Sequence, residues 1–188
     1  QVMAYDEESG WSEWFEDEAM GDNINQEIFD SLIPAELQNR DLTRDITRAE
    51  FCAVSVRLYE QMGGQKLDAA ALDSPFADTG SDAVKKAYAL GITNGVSPTA
   101  FAPYTHISRE QLATILYRYA DTMGDNVAVS GNLNAYTDKD KVGSYAVTPM
   151  TWAVEHGIIT GTTGTTLSPK STTTRAQVAV MLHRYLTD

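Results

Sequence analysis

An internal repeat constrains this chain of 188 residues more than any other property it has. Residues 90–103 overlay residues 156–169 without a gap, so that Gly91 falls on Gly157, Ile92 on Ile158, Gly95 on Gly161 and Pro103 on Pro169. From the first glycine the next landmark, a Ser or Thr followed by Arg, comes 17 residues later in both copies, at Ser108-Arg109 and Thr174-Arg175. Thr47-Arg48 is a third copy of that landmark. A period of this size marks an array of small supersecondary units that cannot bury their apolar faces singly.

Each landmark has a physical meaning. Thr47-Arg48-Ala49-Glu50, Ser108-Arg109-Glu110-Gln111 and Thr174-Arg175-Ala176-Gln177 fit the capping box, in which a hydroxyl side chain and a Glu or Gln three residues later satisfy each other's backbone N–H groups. Each therefore predicts a helix start. Apolar residues follow at helical spacing: Phe51, Val54, Leu58; then Leu112, Ile115, Leu116, Tyr119; then Val178, Met181, Leu182, Tyr185. A second amphipathic stretch precedes each glycine, with Val84, Ala87 and Tyr88 in one copy and Met150, Ala153 and Val154 in the next. Gly91 and Gly157 suit the left-handed residue that ends a helix. For the first copy the stretch from Asn23 to Ile33 takes this place, with Ser31 where the others have glycine. Phe76-Ala77-Asp78 and Tyr136-Thr137-Asp138 open the other two copies, their aspartates suited to capping turns. The expectation is a mainly α protein of three helix-loop-helix units at 23–63, 76–124 and 136–188, packed as one cooperative body behind an acidic leader at 1–22.

Charge and composition narrow the function. The net charge is −12, and residues 1–30 hold ten acidic side chains with no Lys or Arg. A general positive field for nucleic acid is absent. No apolar run is long enough to span a membrane, and the first residues lack a secretory signal. The one cysteine, Cys52, sits among apolar residues as a small buried thiol, which leaves no disulfide framework and no thiolate metal site. His106, His156 and His183 follow no ligand spacing. No metal, cofactor or catalytic constellation is expected, and the carboxylates of the leader lie in a polar run without a pocket-forming frame.

In these boxes, in the loops Gly91-Ile92-Thr93-Asn94-Gly95 and Gly157-Ile158-Ile159-Thr160-Gly161, and in Phe101-Ala102-Pro103 and Leu167-Ser168-Pro169, residues 23–188 resemble the S-layer homology modules of bacterial surface proteins. Ile46-Thr47-Arg48-Ala49-Glu50-Phe51 is nearest to that family's signature. Gln111 and Gln177 depart from its glutamate, and Tyr145 stands for the family's tryptophan in the third unit. The resemblance implies a pseudo-threefold helical bundle whose inter-module grooves bind secondary cell-wall polysaccharide carrying pyruvylated sugars. It also implies non-covalent anchoring of an exported protein on a bacterial cell surface, with a cargo domain upstream.

A pyruvyl ketal presents a fixed carboxylate, and a helix start offers free N–H groups and a partial positive charge. Arg48, Arg109 and Arg175, each at a first helical position, are the candidate anion contacts, since arginine makes a two-pronged contact that lysine cannot. Their other reading is pairing with a neighbouring unit's carboxylate. Gly95 and Gly161 let a sugar approach the backbone, or serve turn geometry alone. Tyr104, Tyr145 and Trp152 are candidate stacking platforms, Trp152 having core packing as its other role. Substituting Arg109 by Ala is expected to weaken wall retention with little change in melting temperature. The competing function for such an array is a helical scaffold that binds another protein.

Overall fold

The computed structural model describes residues 41–187. The acidic leader, Trp11, Trp14 and the expected helix at 23–33 lie outside the described residues. Five α-helices are present among them: α1 (Arg48–Gln61), α2 (Asp82–Ala89), α3 (Arg109–Met123), α4 (Val147–Glu155) and α5 (Arg175–Thr187). Three short 3-10 turns, Ala69–Ala71, Lys139–Lys141 and Ser144–Ala146, connect them. Strand pairing among the described residues is confined to isolated bridges, so the protein is mainly helical.

All three long helices begin in a reciprocal capping box. Thr47 Oγ1 accepts from the Glu50 N–H while Glu50 Oε2 accepts from the Thr47 N–H at 2.8 Å. Ser108 with Gln111 and Thr174 with Gln177 repeat the exchange. Gly91 and Gly157 have φ of +74° and +63°, the left-handed conformation that stops α2 and α4.

The helices pair across copies rather than within them. α2 packs along α1 of the preceding copy, and α4 along α3. Lys86 on α2 bridges to Glu60 on α1 at 2.7 Å. The buried interior runs through Phe51 and Leu58 of α1, Leu112, Leu116 and Tyr119 of α3, Met150 and Trp152 of α4, and the loop residues Ile92, Phe101 and Leu167. Cys52 is fully buried among them, which pushes its thiol up to about 12.

Where the three boxes meet, the backbone closes a ring. The Ile46 N–H donates to Thr173 O, the Thr173 N–H to Ile107 O, and the Ile107 N–H to Ile46 O, at 3.0, 3.2 and 3.0 Å. Two residues further on, the N–H groups of Arg48, Arg109 and Arg175 donate to the carbonyls of Thr105, Ser171 and Arg44, each at 3.0 Å. Three residues on, Ala49, Glu110 and Ala176 donate to Pro103, Pro169 and Leu42. The N–H groups of the first two residues of each long helix, which a helix start leaves over, are thus spent on the neighbouring copy rather than left free for a ligand.

Ile46 and Ile107 put aliphatic side chains at the centre of this ring, but the third position is Thr173, fully buried with a hydroxyl that has no partner. A buried unsatisfied hydroxyl costs roughly 1–3 kcal/mol. Thr173→Val keeps the shape and removes that cost. It is expected to stabilise the fold by about 1 kcal/mol, and denaturant titration showing an unchanged or lowered midpoint would reject this account.

Candidate functional site

The ring places an arginine at the first position of α1, α3 and α5, each pointing at the loop of the next copy. Arg48 is 4% exposed. Its Nε–H donates to Phe101 O at 2.9 Å, and its guanidinium lies 4.9 Å above the Phe101 ring. Arg109 is 5% exposed, with Nε–H on Leu167 O at 2.8 Å and an Nη2–H on Thr160 O at 2.7 Å. Phe101 and Leu167 are equivalent residues of the repeat. Burial lowers the pKa of both guanidinium groups, although arginine keeps its charge. Arg175 is arranged differently: Nη2–H donates to Glu50 Oε1 at 2.8 Å, Nη1–H to Asp41 O at 3.0 Å, and Nε is buried without an acceptor. Burial would raise the Glu50 carboxyl, but the Thr47 N–H and the Arg175 guanidinium override it and hold the group below its ordinary range.

The loops that receive these arginines are held by Asp78 and Asp138. Asp78 accepts from the N–H groups of Phe101 and Ala102 at 2.9 and 2.7 Å, and Asp138 from those of Leu167 and Ser168 at 2.9 and 2.8 Å. Each carboxylate thereby fixes a left-handed residue that is not glycine, Ala102 at φ +58° and Ser168 at +52°. Those backbone donors keep Asp78 below its usual range; burial opposes them at Asp138, and there too the donors prevail. Asp138→Ala is expected to cost on the order of 2–3 kcal/mol, since two charge-assisted bonds go and a strained turn loses its brace. Asp138→Asn, which can satisfy one donor, should fall between wild type and Ala in thermal melts; equal melting of all three would show that the bonds carry no stability.

The remaining expected site residues divide by exposure. Tyr104 is 87% exposed and Tyr145 53%, so both rings present faces to solvent. Trp152 is 2% exposed, packed against Tyr117, Tyr185 and His156 in an aromatic cluster of the core. Gly95 has φ +75°, and a Cβ there would collide with the Phe76 ring and Ala100 O. At Gly161 a Cβ would run into the carbonyl oxygens of Thr163 and Thr166. Local packing alone requires glycine at both.

Glu110 did not stand out in the repeat. It replaces the Ala of the other two boxes, a difference that was its only signal. Its side chain is 3% exposed. It accepts from the Gly143 N–H at 2.9 Å, from the Tyr145 hydroxyl at 2.7 Å and from the Lys170 ammonium. Burial pushes this carboxyl up, yet Lys170 and the two other donors bring it below the ordinary range. Burial and the bond to Glu110 raise Tyr145 in turn.

Three copies of one helix start, joined through a closed ring and each carrying an arginine, define a tandem-repeat helical domain. The family model described as "S-layer homology domain" matches residues 75–113 and 135–179, and these two segments are S-layer homology domains, modules that attach exported proteins to the cell wall at the cell surface. Among curated proteins, the chain is 29% identical over 147 residues, 77% of its length, to an endoglucanase of Bacillus sp. (strain KSM-635). It is 32% identical over 106 residues, 55% of its length, to the surface-layer 125 kDa protein of Lysinibacillus sphaericus. The matched regions span 15% and 9% of those two proteins. No helix among the described residues is long and apolar enough to cross a membrane, and no cluster of His, Cys, Asp and Glu there could hold a metal ion.

Proposed function

We propose that this chain holds an exported protein on a bacterial cell wall by binding pyruvylated secondary cell-wall polysaccharide. The binding sites are clefts between three modules, at 23–63, 76–124 and 136–188, packed as a pseudo-threefold bundle. Its role is adhesion without a catalytic step, and the cargo lies in another part of the same protein. The observation that carries this reading is Arg48: an arginine at a helix start, 4% exposed, whose guanidinium has no carboxylate among the described residues bound to it. Arg109 repeats the placement. Tyr104 and Tyr145 offer exposed rings for stacking, as sugar faces require. Several weak sites on one rigid body would hold a wall polymer tightly, because each contact raises the effective concentration for the next. The great excess of length in both relatives fits a small anchor attached to a larger cargo.

Co-sedimentation with purified wall sacculi tests the proposal. The protein is expected to pellet with untreated sacculi and to stay in the supernatant once pyruvyl ketals are removed by mild acid. Equal pelleting before and after that treatment would overturn the assignment of the ligand.

A further inference from the structure

The three arginines share a backbone setting but not a side-chain setting. Arg175 has both Nη atoms engaged, one by a carboxylate and one by a carbonyl. Arg109 has one Nη engaged. Arg48 has neither engaged by a described residue, and neither is sealed away from solvent. Asp78, whose charge reaches Arg48, is committed to two backbone N–H groups. The described residues thus leave two Nη groups of Arg48 with unused donors, which an anion at that place could accept from.

The ring explains the gradation. Each arginine donates its backbone N–H to the segment leading into the next box, so Arg175 faces the box of Glu50, Arg48 that of Gln111, and Arg109 that of Gln177. The third helical residue of each box caps its own helix in all three copies. Only Glu50 has a second carboxylate oxygen left to reach across to an arginine. The neutral amides Gln111 and Gln177 bring no charge to the corresponding place.

Resting on the proposed function above, we propose that this third box residue gates the neighbouring copy's arginine. Glu50 occupies the Arg175 site as an internal ligand, while Gln111 leaves Arg48 open as the principal carboxylate fork and Gln177 leaves Arg109 as a lesser one. The chain is then a binder of graded sites, with the anionic sugar clamped bidentately at Arg48.

The test uses a methyl hexoside carrying a 4,6-pyruvyl ketal as probe in isothermal titration. Gln111→Glu is nearly isosteric and keeps the capping bond; it is expected to weaken the tightest site about tenfold, as one opposing charge-assisted contact should. Glu50→Gln is expected to add a binding event that Arg175→Lys then removes. In the wild-type chain, modification by an arginine-selective dicarbonyl, read by peptide mass spectrometry, should be slowed by the probe at Arg48 and left unchanged by it at Arg175. This arm needs no variant to fold. Probe binding with protection falling on Arg175, or binding indifferent to Gln111→Glu, would overturn the gating inference and leave the adhesive reading standing. Absence of any probe binding to wild type would overturn both.

Discussion

Glu110→Ala is expected to lower the stability of the chain by about 3–5 kcal/mol, the range found when one partner of a buried charge network is removed. Three donors lose their acceptor together: the Gly143 N–H, the Tyr145 hydroxyl and the Lys170 ammonium. Lys170, 59% exposed at its side chain, can turn to water, but the other two donors are part-buried. In a chain of this size the loss should lower Tm by roughly 10 °C or more. The same carboxylate gives the pH dependence its sign. Its pKa is depressed on folding, as are those of Glu50 and Asp138, so the stabilisation is complete above the unfolded-state carboxyl range and disappears as pH falls through the folded values. Thermal melts between pH 7 and pH 3 should show wild type falling steeply at the acid end, with Glu110→Ala falling less. Parallel curves would remove Glu110 from the acid-labile groups.

Arg109→Ala is expected to cost about 2–4 kcal/mol, because two carbonyl oxygens, Leu167 O and Thr160 O, lose a cationic donor inside the protein. The sequence alone suggested a surface contact whose removal would leave the melting temperature nearly unchanged. Burial of the guanidinium changes that expectation: retention on walls and stability should fall together. Urea denaturation separates the two effects when paired with wall binding measured well below the variant's Tm. A midpoint equal to wild type would return Arg109 to a purely ligand-facing role.

The elements that could be foreseen are those governed by short-range rules. A hydroxyl residue followed by Glu or Gln three positions on fixes a helix start through bonds spanning four residues, and all three boxes form. Gly91 and Gly157 end helices because a side chain disfavours positive φ, whatever lies around them. Asp78 and Asp138 were expected to cap turns because of their residue type, and they do brace loops, but with donors that lie 23 to 30 residues away.

Trp152 illustrates the limit, since apolar neighbours on its helix were compatible with either a platform or the core, and only its packing against Tyr117 and Tyr185 places it inside. Glu110 was invisible because its partners come from residues 143, 145 and 170, brought together by chain topology rather than by spacing. The pairing of α2 with α1, across copies, is of the same kind.

Local chemistry therefore wrote the helices, their caps and the positions of the three arginines into the order of residues. Their inequality arose elsewhere. It depends on which copy's third box residue meets which arginine when the ring closes, Glu50 facing Arg175 across 125 positions of chain. Electrostatic partnership at a few ångströms is set by the folded path of the backbone, and no periodicity along the chain encodes it.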